Sequence, residues 1–323
     1  MSSVFNFKPS PLSLALKANA VTLLMLMAHA ADARSVTSPN DFVVPGAPAD
    51  RYELQPGSGF TVKGAVTKEI RAQSATLVVE PGSSTQDITG FNSDIRIDGS
   101  DVIARSTAPA AVIVSDSKVL ITNSNITHSN GTGLIAARTD GSTVGSSVKV
   151  VDSTITGTQR GATASAYSVL DLIGTKVEAT GASGLGLALY SGQANGNNSQ
   201  MGGGKDGVRM GIDGSCGVLG STRVLDGCSV EGKNGAAIVT REGTHADITV
   251  RNGSGLLGSN GNLLEVTKGS TANFNVDHRA LFGDIVVEEG STAKAQLNNG
   301  AWLTGQLKNV AELSVNDASH WVL

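Results

Sequence analysis

The sequence predicts an all-β protein, a single-stranded parallel β-helix or solenoid, on three observations. A short alternating strand recurs at spacings of mostly 19 to 29 residues along the chain. Gly accounts for 40 of 323 residues against a usual ~7%, while aromatic residues make up only 4%. Asn, Asp or Gly stands at the end of one strand after another, where a chain that turns sharply needs a residue tolerant of positive φ. Apolar content of 40% excludes a disordered tail. A net charge of −4 without a Lys/Arg cluster gives no support to nucleic acid as a partner.

Residues 1–33 read as an export signal. Lys8 and Lys17 precede the apolar stretch Ala18 to Ala28, which is too short to span a bilayer. Two A-x-A patterns follow, so cleavage is expected after Ala30 or Ala33. Residues 34–59 are expected to form a leader or cap, and residues 60–323 the stem. Cys216 and Cys228 stand twelve positions apart between glycines. In an oxidising compartment they would close a structural disulfide, worth about 3 kcal/mol in the chain-entropy account. No C-x-x-C pair or partner His at ligand spacing points to a redox or metal role.

The repeat is clearest in Ile95 to Val102, Val119 to Ile126, Val148 to Ile155 and Leu170 to Val177. Weaker copies end at Val230, Leu256, Leu281, Trp302 and Trp321. The end positions are separated by 24, 29, 22, 53, 26, 25, 21 and 19 residues, where the 53 reads as one rung plus a long insertion or as two rungs. Stacking such coils pairs backbone groups up and down the axis and stacks inward Val, Ile and Leu on their equals. Roughly nine or ten coils are expected. Asp98, Asn123, Asp152 and Gly174 read as equivalent corner positions, an interchange that fits a structural ladder better than catalysis. The segment Ser191 to Ser215 carries eight Gly in 25 residues without apolar periodicity. It reads as a mobile inserted loop and is the candidate binding element.

Chemistry is sparse. His128, His245, His278 and His320 are scattered, no H-E-x-x-H or G-x-S-x-G occurs, and no metal or cofactor is expected. Asp171, Asp226 and Asp247 lie within or at the ends of strands and could sit on a groove. They supply the alternative reading, a secreted β-helix polysaccharide lyase or hydrolase with carboxylates drawn from neighbouring coils.

The C-terminal residues are more specific. Leu281-Phe282-Gly283-Asp284-Ile285-Val286-Val287 is followed by Leu297-Asn298-Asn299-Gly300-Ala301-Trp302-Leu303-Thr304-Gly305, then by Leu313-Ser314 and Ala318-Ser319-His320-Trp321. This resembles the pertactin-like passenger domain of type V autotransporters, clearly over residues 246–323 and more loosely back to about residue 60. The resemblance implies a right-handed β-helix that crosses the outer membrane of a Gram-negative bacterium and serves adhesion or virulence. Trp302 and Trp321, one coil apart, are expected to stack on neighbouring rungs. The sequence departs from the family in two respects: it holds no C-terminal β-barrel strands, and its sole Arg-Gly, Arg160-Gly161, is followed by Ala162. A truncated autotransporter, or a passenger served by a separate outer-membrane translocator, is therefore expected.

Together these readings give an exported, non-enzymatic β-helix in the periplasm, at the cell surface or outside the cell. Its expected partner is a host surface or matrix component, and it carries no membrane anchor of its own.

Overall fold

The computed structural model describes residues 33–212 and 220–323, and every secondary-structure element among them is a strand. All named strand pairs are parallel. They form two 13-stranded sheets, an 8-stranded third face, and a 3-stranded sheet in the last coils. The chain visits the first sheet, the second sheet and then the third face before starting the next rung. Coil five, for example, contributes Ala110–Ser115, Lys118–Thr122 and Asn125–His128. These pair in turn with Thr132–Ala137, Ser147–Val151 and Thr154–Gly157 of coil six. The parallel β-helix expected from the repeat is thus the fold. Thirteen rungs at ~4.8 Å make a rod about 58 Å from first to last rung.

Alternation produces the lumen. In the second sheet Leu77, Ile95, Val119, Val148 and Leu170 occupy one inward column, each directly above the last, and all are buried. Val102, Ile126, Ile155 and Val177 do the same on the third face. Each inward side chain therefore packs on its counterpart one rung away, and burying a Val, Leu or Ile contributes roughly 1.5–3 kcal/mol. In coil two Tyr52 and Phe60 fill the lumen with ring centroids 4.4 Å apart.

Thirteen coils replace the expected nine or ten for identifiable reasons. Residues 34–59, read as a leader or cap of the stem, carry its first rungs: Arg34–Val36 and Asp41–Val43 pair in register with Tyr52–Leu54 and Gly59–Val62, giving coils one and two. Ile70–Gln73, Thr76–Val79 and Ser84–Thr85 make coil three. The 53-residue gap holds two rungs, because Val177, Met201 and Val230 stand in register.

The Gly-rich segment is likewise stem rather than inserted loop over its described part. Gln193–Asn197 and Gln200–Gly203 belong to coil eight, and Val208–Gly211 opens coil nine. Its periodicity was hidden because small residues take inward positions there, Ala194 and Gly196 standing where other coils carry Leu, Val or Ile. Residues 213–215 lie outside the described part.

The corners explain the Asx and Gly residues. Between second sheet and third face, Asn123, Asp152, Gly174, Asn198 and Asn252 all have φ between 46° and 57°. The equivalent residue in coil four is Gly99 rather than Asp98. Asp98 ends its strand opposite Thr122 and accepts that hydroxyl at 2.6 Å.

Candidate functional site

The outward face of the second sheet presents polar columns. Over coils six to ten, Lys149, Asp171, Asn195, Asn197, Asp226 and Arg251 line a shallow groove. This is where the structure places two of the three carboxylates singled out in the sequence. Neither is free: Asn195 Nδ2 donates to Asp171 at 2.8 Å, and Arg251 Nε to Asp226 at 3.0 Å. Asp171 and Asp226 are two rungs and two residues apart in the ladder, so their Cα atoms are about 12 Å apart by strand geometry. Asp247 is farther from both and accepts Asn273 Nδ2 at 2.8 Å. Each of the three aspartates is thus engaged in a polar ladder running between rungs.

Two other carboxylates are held below the usual range. Asp98 is lowered chiefly by the hydroxyl of Thr122, against a smaller burial effect. Glu178 is lowered by its hydrogen bonds to Lys176 and then Lys233, with ion pairs of 2.6 and 2.9 Å. On coils three and four, Arg105 takes Asp87 with Nε and Nη2 at 2.7 and 2.8 Å, and Nη2 also reaches Glu69 at 2.8 Å. Both acids are buried. This clamp had no sequence signal, since its members come from different coils.

The histidines stay apart, and among the described residues no three His, Cys, Asp or Glu side chains gather in metal-binding geometry. His128 is buried at a corner, where Nδ1 accepts the Asn130 amide at 2.9 Å and Nε2 meets the Ala108 carbonyl at 2.6 Å. Its ring fills a structural slot.

Trp302 and Trp321 lie on neighbouring rungs but do not stack on each other. Trp302 is in register with His320, its outward indole 4.8 Å from the imidazole. Trp321 is in register with Leu303, over the last layer of the lumen, and its Nε1 donates to the Gly305 carbonyl at 2.9 Å. The inward residue of coil twelve is Leu303, buried, whereas the larger Trp302 faces solvent at 42% exposure. The one-coil spacing thus brings Trp302 to His320 and Trp321 to Leu303, not the two indoles together.

Cys228 holds a serine's place. At the corner between second sheet and third face, Ser100, Ser124, Ser153, Thr175 and Ser199 each donate to the carbonyl two residues back. The free, buried thiol of Cys228 sits 3.4 Å from the Asp226 carbonyl in the same way, and its amide donates to Ser254 Oγ at 3.0 Å. Cys216, the other half of the expected bridge, lies outside the described residues. So do Lys8, Lys17, Ala30 and the whole apolar stretch of the export signal. Ala33 precedes the first strand.

One lumen residue had no forewarning in the sequence. Arg223 is fully buried, inward in register between Ala194 and Ile248. Burial pushes its guanidinium down to about 10, with neighbouring Cys228 acting in the opposite direction.

No protein-family profile matches the chain, and no curated protein matches it. Among solved structures it aligns with the crystal structure of a TibC-catalysed hyper-glycosylated TibA55-350 fragment, at 11% identity over 91% of this chain and 96% of that one. The TM-score is 0.32, so the fold assignment rests on the strand ladder itself.

Proposed function

We propose that the chain is an exported, non-enzymatic surface β-helix of the autotransporter-passenger kind, pertactin-like in its closing coils, which serves adhesion or host contact. The observation that carries this reading is the interlock of the residues behind the resemblance. Trp321 is hydrogen-bonded to Gly305, and Trp302 packs against His320 in a tilted ring contact. Gly305 itself has φ +150°, and a Cβ there would strike the Gly283 carbonyl oxygen. The closing residues thus form one structural device, as a stem-closing motif requires. Asp171, Asp226 and Asp247 are each taken up by a partner on a neighbouring coil, which favours a scaffold over a lyase or hydrolase. Contacts are made by the outer columns of the rod, with a host surface or matrix component as partner.

Expression of the full chain in a Gram-negative host, with fractionation and N-terminal sequencing, tests export. Mature protein beginning at Ala31 or Arg34, in the periplasm, on the surface or in the medium, is expected; cytoplasmic protein that keeps Met1 would overturn the reading. The rival polysaccharide enzyme is tested by unsaturated or reducing product from uronate polymers, lost on changing Asp171 or Asp226.

A further inference from the structure

We propose that the stem carries a built-in opening point between coils eight and nine, set by a cation that the lumen holds but does not neutralise. Coil eight is Leu185–Tyr190, Gln193–Asn197 and Gln200–Gly203. Coil nine is Val208–Gly211, Ser221–Asp226 and Ser229–Gly232. Arg223 points inward from the middle of coil nine with no exposed surface.

The fit is steric. Ala194 and Gly196 of coil eight vacate volume, and the space above Gly196 is taken by Cys228 Sγ, Met201 Cε and Arg223 Nη2, which lie 2.7, 3.0 and 3.2 Å from where a Cβ would stand. The electrostatics do not match. Among the described residues Nη2 meets only the Met201 thioether, at 2.7 Å, while Nε and Nη1 have no hydrogen-bond partner. Asp226, on the same strand, faces out and is held by Arg251. A buried charge without a counter-ion and with open donors strongly destabilises its surroundings.

In a solenoid that penalty stays local. Each coil contacts only its neighbours, so stability is a sum of coil and interface terms, and one weak interface divides the rod into blocks that open separately. Opening at coils eight and nine admits water to the guanidinium while the blocks on either side stay folded. The inference does not depend on what the stem binds.

Hydrogen exchange of the full chain, read by mass spectrometry, tests it. Amides of Gln193–Asn197 and Ser221–Asp226 are expected to exchange about 100-fold faster than those of Lys118–Thr122 and Thr271–Asp277. Arg223→Met, which keeps the length and removes the charge, is expected to slow the fast amides at least tenfold; Arg223→Lys leaves them fast. Uniform protection along the rod would overturn the proposal, and this wild-type pattern decides by itself if the methionine variant does not fold. So would fast exchange that persists in Arg223→Met, or that added chloride abolishes in the wild type, since the charge would then be met by a bound ion.

Discussion

Ser124 accepts the Ser100 amide at 3.1 Å and donates to the Thr122 carbonyl at 2.6 Å, so one hydroxyl ties two coils and closes its own corner. Its replacement by alanine leaves the buried Ser100 amide without an acceptor, which costs about 1–3 kcal/mol. A urea midpoint lowered accordingly is expected. Cys228 closes its own corner in the same way with a weaker donor, its thiol 3.4 Å from the Asp226 carbonyl. Cys228→Ser is therefore expected to change stability by less than about 1 kcal/mol, whereas a loss near the ~3 kcal/mol of a closed loop, under non-reducing conditions, would place Cys228 in a bridge with Cys216. At this scale the sequence was partly legible. Corner Asn, Asp and Gly residues announce themselves by conformational tolerance, and Asn123 and Asp152 do adopt positive φ. The facing of Trp302 was not legible, because a corner one residue longer, Asn299-Gly300-Ala301, shifts which of two adjacent large residues turns inward.

A coil behaves as an exchangeable unit because its neighbours see only register. Lys176 pairs with Gln200 and Ile173 with Asn197, so excision of residues 176–199 joins Thr175 to Gln200 at equivalent corner positions. The shortened chain is expected to retain the far-ultraviolet signature of a β-helix and a cooperative melt. Deletion of residues 191–215 likewise removes one strand of each face, Gln193–Asn197, Gln200–Gly203 and Val208–Gly211, and because Tyr190 stands in register with Gly211 the chain re-enters the second sheet in phase, so a cooperative melt is expected here too. Gly305→Val is expected to free Trp321 from the Gly305 carbonyl, seen as a red-shifted, more quenchable tryptophan fluorescence. The spacing of strong copies made the coil visible in the sequence. Coil eight was hidden because Ala, Gly and Asn replace the aliphatics that carry periodicity, and the groove was hidden because Lys149, Asp171, Asp226 and Arg251 meet only through stacking.

The whole rod responds to pH at both ends. Asp98 and Glu178 have folded values below those of the unfolded chain, so their contribution is complete above the ordinary carboxylate range and is lost as pH falls through the lower folded values. Stability is expected to fall below about pH 4. Arg223 works in the alkaline range. Its folded value of about 10 lies below that of a free guanidinium, so the folded state releases its proton first and the penalty fades as pH rises above the folded value. Cys228 is the titratable neighbour in the lumen. Tyr52, raised chiefly by burial, opposes this trend in the wild type. The contrast is therefore read as the gap in stability between wild type and Arg223→Met, which is expected to narrow above pH 10.

Along the described residues the rod offers polar outer columns and an exposed Trp302 and His320 pair, the surfaces to which the proposed contact role is assigned. The measurement that tests this most directly is incubation of the purified chain with immobilised host matrix and with uronate polymers, following binding and product together. The account expects saturable binding with no unsaturated or reducing product. Product formation that disappears in Asp171→Asn or Asp226→Asn would contradict it.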